Sequence, residues 1–395
     1  MARELSGVEV LAVSLSTSVG GTDHSLRNLA LALRARGVTV TLGAPGGSAT
    51  EKWWRSSGLP FLPLDLPQRV GIRRQGEMSL HPLGQLVAQG PRSARTVSIL
   101  RRAARDFDVL HSNHLLLHLD AVLAARLARK PVIVEFHDIV PAGAGRVLLA
   151  AIAMTATRTV AVSSAAAQQL PARAARRASV VHQGIDTTAF APGAGDPNLR
   201  SSMTADPDAP LIAAVGRIDR EKNLDVLIDA VARVRRSGVD AHLAIVGAPS
   251  EDDGGYLAEL QTAAARLLPG AYRFLGRTDM VASTLRAVDV LACPSQDEPF
   301  GLIALEAQAC AVPVVASDTG GLVDFVTDEW TGLVARTGDA DSLAAQLRRM
   351  VTDRDLARGL ALTAREQAAG RFDSEHRAQR FVDIYSSAIG DKRST

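Results

Sequence analysis

Two carboxylates, Glu298 and Glu306, stand eight positions apart in the C-terminal half of this chain of 395 residues. The apolar run at 290–292, followed by Pro294, predicts a short buried strand that ends shortly before the first of them. A turn-forming Pro-Phe-Gly sequence and the start of an apolar helix separate the two carboxylates. The predicted unit is therefore strand, loop and helix, with Glu298 in the loop and Glu306 about one and a half turns into the helix.

The backbone amides at the start of this helix add a second kind of chemistry. Those of Phe300, Gly301 and Leu302 should lack partners within the helix and carry partial positive charge. Such amides suit a ligand rich in oxygen acceptors, and carboxylates accept hydrogen bonds from hydroxyls. The segment therefore favours a sugar site, although a pair of surface glutamates would be the default interpretation of Glu298 and Glu306 alone.

A second segment places cations directly after a predicted strand, Leu211–Val215. It reads Gly216-Arg217-Ile218-Asp219-Arg220-Glu221-Lys222-Asn223. Ligands of α/β proteins bind at the carboxyl ends of parallel strands, and two long cations there suit an anionic ligand. A solvated charge run at a helix start is the alternative interpretation.

Together the two segments resemble the paired-glutamate motif and the Gly-Arg…Glu-Lys-Asn motif of the family 4 retaining glycosyltransferases. The resemblance covers most of the chain and is strongest over residues 211–335. It implies an α/β protein of the GT-B type, with two Rossmann-like domains whose parallel sheets face each other across a cleft. His182-Gln183-Gly184-Ile185-Asp186 is similar to a further family segment, with Gln183 in place of Asn.

The resemblance also implies roles for individual residues. Arg217 and Lys222 would bind the diphosphate of a nucleotide sugar, Glu298 would hold sugar hydroxyls, and Glu306 would accept hydrogen bonds from the ribose. The implied donor-binding residues are Gly20, Gly21, Gly216, Arg217, Lys222, Phe300, Gly301, Leu302 and Glu306. The implied catalytic residues are His137, Arg217, Lys222 and Glu298.

The N-terminal half supplies the remaining candidates. Gly20 and Gly21 follow the first predicted strand and precede a helix, where glycine permits close approach to an anion; a plain strand–helix turn is the alternative. His137 follows another apolar strand, and the resemblance places it near the donor sugar, although a lone His is usually structural. Three weaker candidates for acceptor contact are Asp23, His111 and His114.

Alternating apolar strands and amphipathic helices predict two domains with parallel sheets covered on both faces. The expected divisions are an acceptor-binding domain at 1–190, a Pro- and Gly-rich linker at 191–208, a nucleotide-sugar-binding domain at 209–372 and a C-terminal helix at 373–395. The resemblance implies that this last helix crosses back to the first domain.

The sequence lacks the signature motifs of several classes of protein. No Gly-x-Gly-x-x-Gly follows the first strand, and no Walker A sequence exists. The Asp-x-Asp pair at 106–108 enters a predicted strand, the pair at 339–341 should lie in a helix-cap region, and the pair at 353–355 should lie in a short turn, so none of these pairs resembles a metal-binding loop. We therefore expect no metal and no cofactor other than the co-substrate. No apolar run could span a membrane and no secretion signal is evident, so a cytoplasmic location is expected.

The charge is distributed unevenly along the chain. Residues 1–195 carry 22 Lys and Arg against 12 Asp and Glu, whereas totals of 44 and 42 leave 22 and 30 for the remainder. Solvated helix faces are the simplest explanation. The alternative is an N-terminal half that receives an anionic acceptor or contacts an anionic membrane surface. Nucleic acid is disfavoured, because no aromatic residues interleave with these cations.

The sequence therefore predicts a metal-independent, retaining glycosyltransferase that moves a hexosyl-type sugar from a nucleotide-diphosphate sugar to a hydroxyl acceptor. A small molecule, a cyclitol or natural product, and a lipid-linked acceptor all remain open. Apart from Glu135 and Asp138, no carboxylate in the N-terminal half is well placed to act as a nucleophile, so front-face attack assisted by the leaving phosphate is preferred to a covalent intermediate. Alternative functions are a nucleotide-sugar epimerase on the same scaffold and a catalytically silent partner subunit that binds nucleotide sugar.

Overall fold

The computed structural model of the protein describes residues 7–67, 72–74, 77–79, 90–249 and 254–393. The chain divides into two compact units. Unit 1 comprises Met1–Gly184 and Ser374–Thr395, and unit 2 comprises Ile185–Asp373. The predicted linker at 191–208 lies within unit 2, where Asp196 caps a short helix with its side chain. The C-terminal helix belongs to unit 1.

Unit 1 contains a seven-stranded parallel sheet of order β3-β2-β1-β6-β7-β8-β9 and a separate antiparallel pair, β4-β5. Its strands are β1 Val8–Val13, β2 Val38–Ala44, β3 Phe61–Pro63, β4 Ile72–Arg74, β5 Glu77–Ser79, β6 Val109–Ser112, β7 Val132–Phe136, β8 Arg158–Ala161 and β9 Ala178–Val180. Its helices are α1 Gly21–Arg34, α2 Ala49–Ser56, α3 Gly90–Ala103, α4 His118–Ala128, α5 Ala144–Thr155, α6 Ser164–Gln168, α7 Ala172–Ala175 and α15 Ser374–Arg393.

Both faces of this sheet are covered, because successive side chains of a strand point to opposite faces. Val10 and Ala12 belong to a core cluster that includes side chains of α1 and α15. Leu11 and Val13 belong to another cluster, which includes side chains of α3, α4 and α5. Helix α15 therefore completes one face of unit 1.

Unit 2 contains a six-stranded parallel sheet of order β12-β11-β10-β13-β14-β15. Its strands are β10 Leu211–Val215, β11 His242–Val246, β12 Tyr272–Phe274, β13 Val290–Cys293, β14 Val314–Ser317 and β15 Leu333–Ala335. Its helices are α8 Pro197–Met203, α9 Leu224–Arg236, α10 Gly254–Leu267, α11 Val281–Arg286, α12 Leu302–Ala309, α13 Ala340–Thr352 and α14 Arg354–Arg371. Two short 3-10 turns, Arg220–Lys222 and Leu322–Asp324, lie beside the segments singled out in the sequence.

These two sheets confirm the predicted α/β fold class. One local expectation is wrong: residues 353–355 do not form a short turn, because Asp353 accepts a hydrogen bond from the amide of Leu356 and caps the long helix α14. Asp339 caps α13 in the same way, as expected for a helix-cap position. No helix in the described part of the chain is both long enough and apolar enough to cross a membrane.

Candidate functional site

The cation segment of unit 2 begins where the residues that follow strands β10 and β11 lie in close backbone contact. Strand β10 ends at Val215, and Gly216 follows with φ 145°. Gly247, directly after β11, lies so near that a Cβ on it would sit 1.7 Å from the Gly216 carbonyl oxygen. Gly247 also has φ +158°, so glycine is required there for both space and conformation. Sequence reasoning identified Gly216 but missed Gly247, because the contact joins distant positions.

The cation segment is hydrogen-bonded to the loop that carries Glu298. After the 3-10 turn Arg220–Lys222, Asn223 adopts a left-handed conformation with φ 48°. Its side-chain amide donates to the Pro294 carbonyl at 3.1 Å, and the Gln296 amide donates to the Glu221 carbonyl at 2.8 Å. The two motifs found separately in the sequence are therefore one structural site.

Lys222 and Glu298 form the central ion pair of this site, with Nζ 2.5 Å from Oε2. The Ser295 hydroxyl also contacts the same carboxylate oxygen, at 3.2 Å. Burial alone would lower the pKa of Lys222, but the adjacent Glu298 carboxylate outweighs burial and raises it. Lys222 is therefore a permanent cation at physiological pH.

Arg217 is more open to solvent than Lys222. Its side chain is 48% exposed, and its Nη1 lies 3.1 Å from Oδ2 of Asp219, whose side chain is 2% exposed. Neither oxygen of Asp219 accepts a well-aligned hydrogen bond from the described residues, so this contact is electrostatic. The sequence motif contained Asp219, but nothing in it indicated that this carboxylate would be buried beneath the guanidinium.

Two consecutive glycines, Gly320 and Gly321, lie against the backbone of the Glu298 loop. The Gly321 amide donates to the Glu298 carbonyl at 2.7 Å. A Cβ on Gly320, which has φ +62°, would lie 2.1 Å from that same carbonyl oxygen. Gly301 has φ 96° and is the N-cap of α12, where a Cβ would meet Leu322 at 2.6 Å. The Glu298 loop is therefore packed tightly against the segment that contains Gly320, Gly321 and Leu322.

The start of α12 leaves donors uncommitted. Among the described residues, the amides of Gly301 and Leu302 donate to no other group. Phe300 is buried, and its ring centroid lies 5.2 Å from that of Phe325. A helix start with uncommitted amides attracts negative charge, as the sequence predicted for this segment.

One cavity brings several predicted residues together. Its lining includes Gly216, Arg217, Lys222, Ser295, Glu298 and Ile303. Gly301, Leu302 and Glu306 belong to the adjoining helix start and helix and do not line this cavity. Burial raises the pKa of the Glu306 carboxyl to about 8, so it is largely protonated at neutral pH.

In unit 1, the predicted Gly20-Gly21 loop is closed by Asp23. The Gly20 amide and the Ser16 hydroxyl donate to Oδ2 of Asp23, at 2.9 and 2.8 Å. Burial raises the pKa of Asp23, and these two hydrogen bonds oppose that shift. The carboxylate is thus committed to the first turn of α1, and acceptor contact by Asp23 stays a prediction.

His137 is buried, and both of its ring nitrogens have side-chain partners. Nε2 lies 2.7 Å from Oδ1 of Asn113, and Nδ1 lies 3.2 Å from Nε2 of Gln183. An amide oxygen accepts and an amide nitrogen donates, so these partners assign the ring proton to Nε2. Its catalytic role stays a prediction, and neither Asn113 nor Gln183 was identified as its partner from the sequence.

Behind His137 lies a buried ionic network centred on Glu135. Arg377, from helix α15, places Nη2 2.5 Å from Oε1 of Glu135 and also donates to the Ser25 carbonyl at 3.0 Å. His111 Nε2 lies 3.1 Å and His137 Nε2 lies 3.6 Å from Oε2 of Glu135. Burial would raise the pKa of Glu135, but Arg377 and the two histidines hold it well below its usual range.

The other two candidates for acceptor contact occupy different environments. His111 is fully buried, and its Nδ1 lies 2.9 Å from the Tyr385 hydroxyl. His114 is partly buried, its Nδ1 accepts from the Leu116 amide at 3.3 Å, and burial lowers its pKa. His111 is therefore part of the core of unit 1, whereas His114 retains some exposure; acceptor contact by either stays a prediction.

Comparison with known families gives two matches that follow one another along the chain. The family described as Glycosyltransferase Family 4 matches residues 19–189, and the one described as Glycosyl transferases group 1 matches residues 196–367.

Similar proteins match over most of the chain or over part of it. An alpha-maltose-1-phosphate synthase of Mycolicibacterium smegmatis is 31% identical over 80% of this chain and 89% of that protein. A D-inositol 3-phosphate glycosyltransferase of Geodermatophilus obscurus is 32% identical over 87% of this chain and 82% of that protein. The same-named protein of Stackebrandtia nassauensis is 37% identical, but the match spans 54% of this chain and 49% of that protein.

Solved structures share the fold over nearly the whole chain. The Anabaena protein Alr3699/HepE, crystallised with UDP and glucose, has a TM-score of 0.81 at 23% identity and covers 96% of this chain and 100% of its own. Sucrose-phosphate synthase from Thermosynechococcus elongatus has a TM-score of 0.78 at 21% identity and covers 97% and 100%. These similarities confirm the predicted GT-B fold.

Proposed function

This chain belongs to glycosyltransferase family 4, and on that premise we propose that it moves a hexosyl-type sugar from a nucleotide-diphosphate sugar to a hydroxyl acceptor. We propose further that the transfer retains the anomeric configuration, needs no metal ion and takes place in the cytoplasm. The acceptor is a small molecule, a cyclitol or natural product, or a lipid-linked hydroxyl compound.

One observation carries the proposal: two cations and a carboxylate line a single cavity at the carboxyl ends of the strands of unit 2. Arg217 and Lys222 follow β10, and Glu298 follows β13, which is the neighbour of β10 in the sheet. A diphosphate carries two negative charges and many acceptor oxygens, and it matches this set of groups.

The same groups suit the departure of a nucleotide diphosphate. Negative charge grows on the leaving diphosphate as the bond to the sugar breaks, and fixed cations stabilise that charge. Lys222 is already charged and anchored by Glu298, while Arg217 is held over Asp219 and is half exposed. Arg217 and Lys222 would thus do the work that a metal ion does in other transferases.

Glu298 would change partners when the donor binds. Its Oε2 is shared by Lys222 and Ser295. A diphosphate that draws the Lys222 ammonium toward itself would leave this carboxylate to accept hydrogen bonds from the sugar hydroxyls. The uncommitted amides of Gly301 and Leu302 offer further donors at the start of α12.

Retention without a covalent intermediate is favoured by the state of Glu135. This carboxylate was one of two candidate nucleophiles, but it is fully buried and neutralised by Arg377. A carboxylate in an ion pair within the core cannot reach an anomeric carbon. Asp138 is then the one remaining candidate nucleophile, and front-face attack assisted by the leaving phosphate is the route to retention that we propose.

The proposal is tested by incubating the purified chain with UDP-, GDP- and ADP-sugars in EDTA, together with inositol phosphates and other hydroxyl acceptors. UDP-glucose is tried first, because a fold relative was crystallised with it. NMR of the product should show the anomeric configuration of the donor. Release of free nucleotide without any acceptor would favour the epimerase, and donor binding without turnover under all conditions would favour the silent subunit.

A further inference from the structure

A groove in unit 2 lies at the edge of the sheet opposite to the proposed donor site. It has a volume of about 320 Å³, and its lining includes Glu329, Trp330, Asp355, Gly359, Leu360 and Thr363. One wall is the turn that precedes β15, and the other is the first half of α14. Strands β13, β14 and β15 are parallel, so the turn before β15 lies at the amino edge of the sheet, whereas Lys222 and Glu298 follow strands at the carboxyl edge. The groove and the proposed donor site are therefore separate.

Trp330 differs from the other two tryptophans of the chain in its exposure. Trp54 is fully buried, and the ring of Trp53 is contacted by His24 and Arg27. Trp330 is 63% exposed, the highest value among the large apolar side chains described in unit 2. No aromatic ring or guanidinium of the described residues packs on its indole. A flat apolar ring thus stands open beside the groove, where a ligand can cover it.

The turn that carries Trp330 is held in place by its own hydrogen bonds. The Thr331 hydroxyl donates to the Phe325 carbonyl at 2.8 Å and accepts from the Thr327 amide at 2.8 Å. The Trp330 amide donates to the Thr327 carbonyl at 3.1 Å, and the side-chain amide of the buried Gln308 donates to the Thr331 carbonyl at 2.9 Å. The backbone beneath the indole is therefore fixed before a ligand arrives, which lowers the ordering cost of binding.

Oxygen acceptors surround the indole. The Glu329 side chain is exposed, and its Oε1 lies 2.7 Å from Nη2 of Arg349, which balances its charge. The Asp355 carboxylate is exposed and forms no hydrogen bond or ion pair with any described residue. Thr363 donates its hydroxyl to the Gly359 carbonyl at 3.1 Å, so its oxygen can still accept. The groove therefore suits a ligand that has both an apolar face and several hydroxyl donors.

Gly359 keeps one side of the groove open. It lies within α14, where glycine is less favourable than alanine. A Cβ on Gly359 would meet no atom within 4 Å, so the packing of the protein does not require glycine at this position. The missing side chain leaves room for a ligand beside Trp330.

We propose that this groove binds a saccharide built of gluco-configured pyranose rings. The hydroxyls of such a ring are equatorial, so its C–H bonds form an apolar face that packs on the Trp330 indole, while hydroxyls at its rim donate to Glu329 and Asp355. A cationic ligand fits less well, because Glu329 is already paired with Arg349. A second copy of this chain also fits less well, because a groove of about 320 Å³ accommodates a small ring and not the surface of about 800 Å² per partner that a stable dimer buries.

The saccharide site goes beyond the proposed transfer reaction and does not rest on it. Its residues belong to the turn before β15 and to α14, and none of them lines the cavity that contains Lys222 and Glu298. The groove would hold a glycan on the protein whichever nucleotide sugar serves as donor.

The test is native electrophoresis of the full chain in gels that contain soluble starch, barley β-glucan or no polysaccharide. We expect at least one of the two polysaccharides to retard the protein. Trp330→Ala should raise the apparent Kd for that polysaccharide roughly tenfold, because it removes the aromatic contact. Gly359→Leu should weaken binding by a similar factor because it fills the groove, while its Tm should be unchanged or higher than that of the parent chain.

Matched substitutions on the same helix serve as controls. Leu362→Ala removes an apolar side chain that is 52% exposed, and Gly370→Leu adds a side chain where a Cβ would again meet no atom within 4 Å. Neither residue lines the groove, so both variants should be retarded as the parent chain is. Lys222→Met should also keep the retardation, and Trp330→Ala should keep parental turnover of a small acceptor, which distinguishes failure of the groove from failure of the proposed function.

Three results would overturn the saccharide site. The first is retardation by neither polysaccharide. The second is equal loss in the test and control variants, or retardation that Lys222→Met abolishes and Trp330→Ala preserves. The third is a dimer in light scattering that Trp330→Ala converts to a monomer, which would assign the groove to a second copy of the chain.

Discussion

The polar cluster around His137 in unit 1 and the cation site around Lys222 in unit 2 differ in how exposed their charged groups are and in how many of their polar groups lack a partner among the described residues. Around His137 the side chains are buried, and each charge has an opposite charge beside it. Around Lys222 the guanidinium of Arg217 is half exposed, and helix-start amides donate to no described residue. A ligand can therefore form contacts with the cation site of unit 2 without first disrupting buried side-chain contacts.

The two regions differ in role, one structural and one open to solvent, and their sequence motifs do not distinguish these roles. The His137 region holds together β7, α1 and α15 through Glu135, Ser25 and Arg377. Such a network stabilises the unit and keeps the His137 ring in one orientation. The Lys222 region instead leaves the Arg217 guanidinium 48% exposed, as the proposed diphosphate site requires.

The largest expected effect comes from breaking the buried pair of unit 1. Glu135→Ala leaves Arg377 buried without its counter-ion, which should reduce the free energy of unfolding by about 3–5 kcal/mol. Urea denaturation, followed by separate signals from unit 1 and unit 2, measures this change in the free energy of unfolding. The double change Glu135→Leu/Arg377→Met should recover much of the loss, and failure of the single change to destabilise would remove the contrast between the two regions.

The next effect is on turnover. Lys222→Met removes the partly buried cation of the proposed donor site, so kcat should fall by about 10²–10³-fold, the loss typical of one fixed transition-state stabiliser. Steady-state kinetics with the active donor measures it. Circular dichroism should show an unchanged fold, and a variant that retains near-parental kcat would show that Lys222 does not stabilise the leaving group.

Gly320→Ala should damage the support of the Glu298 loop. A Cβ there would lie 2.1 Å from a backbone oxygen at φ +62°, so the loop must shift, at a cost of about 1–3 kcal/mol. Gly338→Ala is the matched control, because Gly338 also has positive φ, at +74°, but open space around it. Thermal unfolding and donor affinity should both suffer more in the first variant, and equal effects would argue against a rigid loop support.

The smallest effect is a pH dependence of donor binding. Burial raises the pKa of Glu306 to about 8, and a ribose that donates to the carboxylate binds its ionised form better. Donor affinity should therefore rise roughly 25-fold between pH 6.5 and 8.5 and then level off, because the ionised fraction of a carboxyl of pKa about 8 rises by about that factor over this interval. Calorimetric titration of a nucleotide sugar at several pH values measures this rise, and Glu306→Gln should abolish it.

Sequence reasoning was strongest where a strand is a continuous apolar run. Strand β10 has the predicted bounds, Leu211–Val215, because a buried parallel strand lacks polar interruption. The three-residue edge strands β3, β9 and β15 were missed, since a run so short has no detectable periodicity.

The candidate site was predictable in its local motifs and hidden in its long-range contacts. Arg217, Lys222 and Glu298 were found because they follow strands within recognisable segments. Gly247 and Gly320 matter through atoms far away in the sequence, and Arg377 lies in a helix that looks like any charged surface helix. Such residues become visible only when the fold brings their partners to them.

The most direct test of the donor site compares two arginines three positions apart. Arg220 pairs with Glu259 at 2.9 Å and stacks over Tyr256, whereas Arg217 lines the cavity. Titration calorimetry with the active nucleotide sugar should show affinity at least about tenfold weaker for Arg217→Ala and unchanged for Arg220→Ala, since a charge-assisted contact to phosphate is worth more than an exposed surface ion pair. Parental affinity in Arg217→Ala, or equal loss in both variants, would contradict the assignment of the diphosphate site to this edge of unit 2.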